Sequence, residues 1–419
     1  MKKKILSISI VALLLCTGFV SIKIYGSKHR DNGSYIEDIP VAEGGIIDEE
    51  LDKDSEDNNK EDDSINDISN NKEIDIDSSK VKKIHAQLEG DICWSHLCVT
   101  DDGYILGRCQ PNSNNQQDMI FYNMDTEETN IIYTTEPRWT IGSAEINDNF
   151  ILWDETIAEE TGLRPCRVMI MDRKTKEVRK LFEDMDYTMY MPFIDLSLGD
   201  TSAYWSVGIN ENDNPIYYIM KYDMTDGEIC NYKRMATCPL ITDKYFYWTG
   251  PEDEKMENAA LYQEDLKSGE VKKITTNKSP SYIEGKGEDI IFSGLDKIAG
   301  KNDVDAQGYP INQWSICLYS NNEISKLKVS KKDIFEFPSF NGKYIGWRGT
   351  DKLRLYSIDE NVTYILTRSA ADYTEVTLSE KYALWNSPVK GTGSDAKHDA
   401  IERGMYDSYI YILKLDDIK

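Results

Sequence analysis

The stretch VKKITTN (271–277) follows a KSGE turn and reads as the last strand of a repeated unit. Far earlier the chain reads VKKIHAQ (81–87), a similar strand with only an acidic tract before it. The last unit runs from EVTLSEKYALW to YIYILKLDDIK and ends without a strand of this type. An N-terminal strand pairing beside the last C-terminal strand would close a ring and remove an exposed strand edge. We therefore predict that residues 81–87 form the outer strand of the last unit.

Two pieces recur between residues 81 and 419. The first is a short turn followed by an aromatic-rich strand: DDGYILG (101–107), NDNFILW (147–153), GDTSAYW (199–205), TDKYFYW (242–248), GEDIIF (287–292), NGKYIGW (341–347) and SEKYALW (379–385). The second is an apolar strand, a polar turn and a further strand, as in ALYQEDLKSGEVKKITT (260–276). Aspartate in that turn can bond backbone amides two residues on, and we assign this role to Asp125, Asp172, Asp223, Asp265 and Asp359.

Seven units of roughly 48 residues, each with four short strands, are typical of propeller blades. The sequence therefore predicts an all-β, seven-bladed β-propeller over residues 81–419 with little helix. Five of the eight tryptophans end the first recurring strand: Trp153, Trp205, Trp248, Trp347 and Trp385. We expect them to pack between blades rather than to stack on carbohydrate.

These units resemble the repeats of TolB-like propellers and of the propeller in prolyl-oligopeptidase-type proteins. The resemblance spans residues 81–419 and rests on turns such as TDDGYILG and NGKYIGW and on the pattern shared by DMTDGE and DLKSGE. The Pro of the usual Ser-Pro-Asp-Gly turn is missing throughout, and we expect no hydrolase domain beside the propeller. The resemblance implies the fold, together with a role as a platform that binds proteins or other ligands.

The first 80 residues divide into two segments. Residues 1–30 begin with Met and three Lys, followed by an apolar run from Ile5 to Ile22, which at ~1.5 Å per residue spans roughly 27 Å. We predict an uncleaved signal anchor that crosses the membrane once and places the propeller outside the cytoplasm; a cleaved signal and a lipoprotein at Cys16 are the alternatives. Residues 31–80 hold eighteen Asp or Glu against four Lys, which predicts a disordered acidic linker.

The net charge of −26 argues against a nucleic-acid partner and against binding of anionic lipid headgroups. Cations or a basic protein fit this surface better. The connections between the second and third strands of the units are long, whereas the opposite turns are tight, so we expect one recognition face. Its acidic residues are the predicted ligand-binding set: Asp154, Glu155, Glu159, Glu160, Glu252, Asp253, Glu254 and Glu257. The alternative is that these charges only keep the loops solvated.

A second candidate site is a cation loop. Asn302, Asp303 and Asp305 form an Asn-Asp-x-Asp sequence that could bind Ca²⁺ through oxygen ligands. No other cofactor is indicated.

The sequence contains no positive evidence for catalysis, so we predict a non-enzymatic binding or scaffold module for a protein or a cell-envelope ligand. The alternative is a glycan-active enzyme, either a polysaccharide lyase with metal-bound His or a glycosidase with paired carboxylates. The propeller region has only His85, His96 and His398, and His85 is expected on an outer strand. Carboxylates or His clustered in the central channel would favour the enzyme.

The seven cysteines after Cys16 are odd in number, and we expect buried free thiols rather than a disulfide framework. Cys93 and Cys109 flank the DDG hairpin, and they are the pair that could lie close on neighbouring strands.

Overall fold

The computed structural model describes residues 72–88, 92–157, 165–185, 194–211, 214–252, 259–275, 279–297, 312–330, 335–349, 352–368, 375–388 and 408–418. They form seven antiparallel sheets arranged as the blades of a propeller. The predicted seven-bladed all-β fold is therefore confirmed. The predicted signal anchor and most of the acidic linker lie outside the described residues, and no described helix is long and apolar enough to cross a membrane.

The strands of each blade are numbered from the inside of the ring outward, and blades one to six each contain a meander of four consecutive strands. The strands of blades one to three are β3–β6 (Trp94–Val99, Tyr104–Cys109, Asp118–Asn123, Thr129–Thr134), β7–β10 (Thr140–Ile146, Phe150–Thr156, Cys166–Asp172, Val178–Asp184) and β11–β14 (Leu196–Leu198, Ser202–Glu211, Asn214–Asp223, Ile229–Arg234). Those of blades four and five are β15–β18 (Thr237–Ile241, Tyr245–Pro251, Ala259–Asp265, Val271–Lys273) and β19–β22 (Ser279–Lys286, Asp289–Lys297, Gln313–Ser320, Glu323–Ser330). Blade six contains β23–β26 (Glu336–Phe340, Tyr344–Arg348, Leu353–Ser357, Val362–Thr367), and blade seven contains β27–β29 (Val376–Leu378, Tyr382–Pro388, Ser408–Lys414).

The ring is closed by β2 (Val81–His85), which is the outer strand of blade seven. It pairs antiparallel with β29, with Val81 opposite Leu413 and Ile84 opposite Ile410. Ile84 is 7% exposed and belongs to the apolar core shared by blades seven and one. The prediction that residues 81–87 supply the missing strand is confirmed for 81–85.

The aromatic residues of the second strands fill the spaces between blades, as expected. Trp153 and Trp205 are fully buried, and each belongs to a cluster with residues of the preceding blade. Blade one has Gly107 at this position, where a Cβ atom would lie 2.6 Å from Trp94. The indole of Trp94, from the first strand, thus occupies the room that a tryptophan on the second strand takes elsewhere.

The aspartate turns are confirmed in three blades and reassigned in two. Asp172, Asp223 and Asp265 each accept a hydrogen bond from the backbone N–H two residues later. In blade one the acceptor is Asn123 rather than Asp125, and in blade six Ser357 rather than Asp359 accepts from the backbone N–H of Glu360. An amide or hydroxyl oxygen two positions earlier can accept the same kind of bond, so the position of the aspartate alone did not identify the acceptor in these two turns.

The main difference from the sequence analysis lies at residues 72–80, which we assigned to the acidic linker. Here β1 (Glu73–Asp75) pairs in parallel with β26 and makes a fifth strand on blade six. A short 3₁₀ turn, Ser78–Lys80, capped by Asp77, then leads into β2. The propeller therefore begins about eight residues before the predicted boundary.

Candidate functional site: the mouth of the central channel

The first strands of the seven blades form the wall of the central channel, because each contacts the first strand of the next blade around the ring. They all start on the side of the long connections, where the second strands end. Five of the seven are interrupted near that start by a shift in pairing register. Such bulges re-aim side chains and are common beside binding sites. We call this end of the channel the mouth.

Three neighbouring blades carry a left-handed residue other than glycine at the bulge: Cys238 with φ 52°, Tyr282 with φ 49° and Phe337 with φ 46°. Each such conformation costs on the order of 1–3 kcal/mol, and it is retained where the surrounding structure enforces it. Aromatic residues are unusual in this region. Strain repeated in three adjacent blades therefore marks the mouth as a candidate site.

Tyr282 and Phe337 form an aromatic pair on the channel wall. Their ring centroids are 5.1 Å apart in an edge-on arrangement, and the guanidinium of Arg348 lies 5.4 Å from the Phe337 ring. Both aromatic side chains are only partly buried. The pair thus offers an apolar ring surface with a cation beside it.

The opposite part of the mouth is polar. His96 Nδ1 lies 2.9 Å from Asn386 Oδ1 of blade seven, and burial lowers the pKa of His96 to about 4, so the imidazole is neutral at pH 7. Arg108 donates to the carbonyls of Ile141 and Gly142 in blade two. Burial also lowers the pKa of Arg108, opposed by the negative charges of Glu375 and Asp154.

Asp154 secures the bulge in blade two. Its Oδ1 accepts from the backbone N–H of Ser143 at 2.6 Å and from the Ser143 hydroxyl at 2.7 Å. A Cβ atom on Gly142 would sit 2.2 Å from Asp154 Oδ2, so only glycine fits beneath this carboxylate. Burial raises the pKa of Asp154 to about 6, while the bonds from Ser143 lower it.

Contacts at this level connect successive blades. The Ser143 hydroxyl reaches the carbonyl of Ile194 in blade three, and Asp195 accepts from the backbone N–H of Cys238 in blade four. The Cys238 thiol in turn lies against the backbone of Tyr282. A chain of polar contacts thus holds the bulges, and with them the aromatic pair, in a fixed arrangement.

A sequence signal outside the predicted site residues also marks this level. The residue directly after the aromatic position of each second strand is polar in all seven blades: Arg108, Asp154, Ser206, Thr249, Ser293, Arg348 and Asn386. Several of them bond the bulged first strand of their own blade, as Thr249 does with Thr237 and Ser293 with Ser281. The quoted repeats stopped at the aromatic residue, one position too early to show this row.

A second level lies deeper in the channel, nearer the tight turns. Register places one residue of each first strand here: Cys98, Glu145, Ser197, Leu240, Glu284, Ser339 and Thr377. The side chains of three of them bond the next blade, since Cys98 donates to the Ala144 carbonyl, and Ser197 and Ser339 accept backbone N–H groups.

Glu145 and Glu284 stand apart from the other residues of this level, because they are carboxyl groups close enough to influence one another across the channel. Burial raises the pKa of Glu145 to about 7. Burial raises that of Glu284 further above its usual range, and the charge of Glu145 adds to this effect. At neutral pH the pair therefore retains at least one proton.

The predicted acidic set is only partly described. Asp154 and Glu155 lie in β8 rather than in the loop, because the strand continues to Thr156, and they are 4% and 0% exposed. Glu155 accepts from Trp153 Nε1 and from Arg167 Nε, both at 2.8 Å. Glu252 follows β16 and accepts from Lys273 Nζ at 3.1 Å. Glu159, Glu160, Asp253, Glu254 and Glu257 lie outside the described residues.

The metal predictions have a similar outcome. The cation loop at Asn302, Asp303 and Asp305 lies outside the described residues, as does His398. In the described part of the chain no group of three or more His, Cys, Asp or Glu is placed to hold a metal ion. His85 is on the outer strand of blade seven, as expected.

No disulfide bond joins the cysteines of the described residues. Trp94 pairs with Cys109 across β3 and β4, so Cys93 and Cys109 project from opposite faces of the sheet. They are not placed to bond to each other.

Comparison with solved structures supports the fold. An oligogalacturonate lyase in complex with manganese aligns with a TM-score of 0.52 and 11% identity, over 80% of this chain and 96% of that one. An oligogalacturonate lyase from Vibrio parahaemolyticus aligns with a TM-score of 0.51 and 11% identity, over 82% and 97%. TolB from Acinetobacter baumannii aligns more loosely, with a TM-score of 0.40 and 15% identity, over 63% and 64%. No family model matches the chain, and no curated protein matches it significantly in sequence.

The architecture is thus a seven-bladed propeller, as the repeats predicted. Among the described residues His96 is not joined by two further His, Cys, Asp or Glu side chains that could hold a metal ion with it, and His85 lies on the outer strand of blade seven. The described side chains therefore do not fit a manganese ion.

Proposed function

We propose that this chain is a membrane-tethered, extracytoplasmic binding module that takes a cell-envelope glycan at the channel mouth. The observation that carries the proposal is the pair of strained aromatic residues, Tyr282 and Phe337, on the channel wall. An apolar ring surface with a few polar groups around it suits a ligand that has an apolar face and a polar edge, as sugar rings do. The fold neighbours that act on oligogalacturonate agree with a saccharide ligand.

The polar groups at the mouth have chemistry suited to sugar hydroxyls. Neutral His96 and the Asn386 amide can both donate and accept hydrogen bonds. Arg108 and Arg348 add positive charge to a strongly acidic protein, which favours a glycan with acidic substituents. Because the bulges fix these groups beforehand, little ordering should be needed on binding.

The test is retention of the full-length chain on protein-free wall polymer from the source cell. Tyr282→Gly and Phe337→Gly remove the rings and also relieve the left-handed strain, because glycine adopts that conformation freely. We expect binding to fall at least about tenfold while stability is unchanged or rises. Tyr104→Leu is the matched control, since Tyr104 and Phe121 form a similar edge-on pair, 5.9 Å apart, in blade one. Retention unaffected by either glycine variant would refute the site.

A protein ligand remains the other form of this binding role. We predict that the five acidic residues outside the described part bind a basic partner. Neutralising Asp253, Glu254 and Glu257 tests this prediction. Glu252 is left intact, because its bond to Lys273 gives it a local role. Loss of a cross-linked protein from intact envelopes, with glycan retention unchanged, would favour this form.

One observation favours the enzymatic alternative. Two neighbouring carboxyl groups that retain a proton near neutral pH can act as general acid and general base on glycans, and Glu145 with Glu284 is the candidate pair, because burial raises the pKa of both. A glycan-active enzyme should cut the retained polymer, and Glu145→Gln or Glu284→Gln should abolish cutting without abolishing retention. Intact polymer after prolonged incubation with the unaltered chain would leave the binding role.

A further inference from the structure

Blade six differs from the other blades at one buried position. Opposite the aromatic position of the second strand, the third strand carries an apolar or aromatic residue in six blades: Ile120, Met169, Met220, Tyr262, Cys317 and Tyr411. In blade six the residue opposite Trp347 is Arg354, which is 4% exposed. A buried cation is costly unless it is paired, so blade six has a local need for negative charge.

That charge comes from β1. Arg354 Nε donates to Glu73 Oε1 at 3.1 Å, and Lys352 Nζ donates to Glu73 Oε2 at 3.2 Å. Arg368 holds Asp75 through two parallel bonds of 2.9 Å each. Three cations of one blade thus meet two carboxylates of a three-residue strand, on a chain whose overall charge is strongly negative. The outer edge of blade six is therefore positively charged although the protein as a whole is negative, and it suits an acidic segment.

The remaining contacts define a spacing. Ile74 and Ile76 alternate with the acids and pack on the core shared by blades six and seven. Pairing with β26 is parallel, with Ile74 opposite Tyr364, and all other ladders among the described strands are antiparallel. The edge therefore suits an extended segment whose acidic side chains bind the cations of blade six and whose isoleucines pack on the apolar core.

The resident strand is short. Its ladder with β26 joins three residue pairs, and the backbone bonds that flank it are Ile76 N–H to Ile365 O at 3.1 Å and Thr363 N–H to Lys72 O at 3.3 Å. Besides its ion pairs, so short a strand depends on the covalent link through residues 76–80 to β2, which raises its local concentration to the millimolar range. A matching strand from another molecule has the same contacts available.

We propose that the outer edge of blade six is a docking site for an extended segment of a partner protein in which acidic residues alternate with isoleucine, and that Glu73–Asp75 occupies this site in the free chain. The site lies at the periphery of the ring, so it is independent of the channel mouth and of the function proposed there.

The test uses the full-length chain and a labelled peptide with the sequence of residues 72–79, followed by fluorescence anisotropy. Glu73→Lys combined with Asp75→Lys expels the resident strand by repulsion from the three cations. We expect this variant to bind the peptide at least about tenfold more tightly than the unaltered chain does. Adding Arg354→Met, which restores an apolar residue of the kind found in the other blades, should remove most of the gain.

A peptide of equal composition with Ile74 and Asp75 exchanged is the matched control, because it keeps the charge and loses the alternation. Equal binding of this control would overturn the proposal and leave simple charge attraction. No binding of either peptide to the Lys variant, with its near-ultraviolet circular dichroism unchanged, would also overturn it, since β1 would then be a covalent clasp only. Retention of glycan should not change in either case.

Discussion

Blades six and seven each take a strand from the same N-terminal stretch, and different forces hold the two strands. β2 pairs antiparallel over five residues and buries Ile84, whereas β1 pairs in parallel over three residues and is held by ion pairs. β2 completes a blade that lacks one strand, and β1 adds a fifth strand to a blade that is already complete. The first is a part of the fold; the second is an attachment to its edge.

This difference predicts that a change in β2 should destabilise the protein more than a change in β1. Loss of β2 should unfold the whole ring, because β2 connects the start of the propeller sequence to β27–β29 at its other end. A strand held by charge should respond to pH and to the loss of Glu73, the carboxylate that faces the buried Arg354, and it should come off without unfolding the ring.

The largest effect is expected for Ile84→Asp. The change removes a buried side chain opposite Ile410 and leaves a carboxylate in an apolar core. We expect the free energy of unfolding to fall by more than about 3 kcal/mol. Urea unfolding followed by tryptophan fluorescence measures this, with Lys83→Thr as the control on an exposed position of the same strand. Equal stability of the Ile84→Asp chain would mean that β2 is not part of the closure.

The next largest effect is a difference in stability between two variants, one that removes the charge of Glu73 and one that removes its partner Arg354. Glu73→Gln leaves Arg354 buried without this carboxylate, and we expect a loss of about 2 kcal/mol, less than for a fully buried pair because Glu73 is partly exposed. Arg354→Met should cost less, since the carboxylate left behind can be hydrated and the new side chain resembles Met169 and Met220 in the equivalent position. Thermal unfolding of both variants and of the double variant measures the difference.

The double variant decides the interpretation. If the ion pair is the reason for the loss, Arg354→Met with Glu73→Gln should behave like Arg354→Met alone. Simple addition of the two single effects would show that Arg354 and Glu73 act separately, and the distinction between blade six and the other blades would lose its basis.

The two strands also show what could be predicted from the sequence. The repeat supplied a template with four strands per unit, and the unit that lacked one strand defined a place for VKKIHAQ. A unit of four strands leaves no place for a fifth strand. The sequence EIDID (73–77), in which acidic residues alternate with isoleucine, was therefore assigned to the linker because of its acidic composition. Its period of two is a strand signal, and the acidic surroundings hid it.

The channel mouth was less predictable for a geometric reason. Loop length favoured the side of the ring on which the mouth lies, but strand ends were placed too early, so Asp154 and Glu155 were assigned to a loop although they are buried in β8. Left-handed Tyr282 and Phe337 carry no sequence signal, because no glycine marks them. The polar row after the aromatic position could have been found by extending the repeat by one residue.

Acidification should separate the two strands. The bonds from Arg368 lower the pKa of Asp75, so this exposed carboxylate contributes a small, solvent-screened stability that is present above its ordinary titration range and is lost as pH falls through the lowered pKa. Ile84 has no such dependence. Hydrogen exchange, corrected for the intrinsic rate at each pH, should show residues 72–77 losing protection below about pH 4 while residues 81–85 keep theirs. Joint loss of protection would mean that the strands form one unit.

The smallest effect is expected for Asp75→Asn, although its bond to Arg368 has the better geometry of the two clasps. Both side chains are largely exposed, at 62% and 61%, so water and salt screen the pair. We expect a melting temperature within the scatter of repeated measurements, and any small difference should vanish when the salt is raised to about 0.5 M. Arg368→Gln is the matched change on the other partner. A drop as large as that of Glu73→Gln would place the strength of the clasp at its exposed end, and the buried Arg354 would no longer explain why blade six alone receives the added strand.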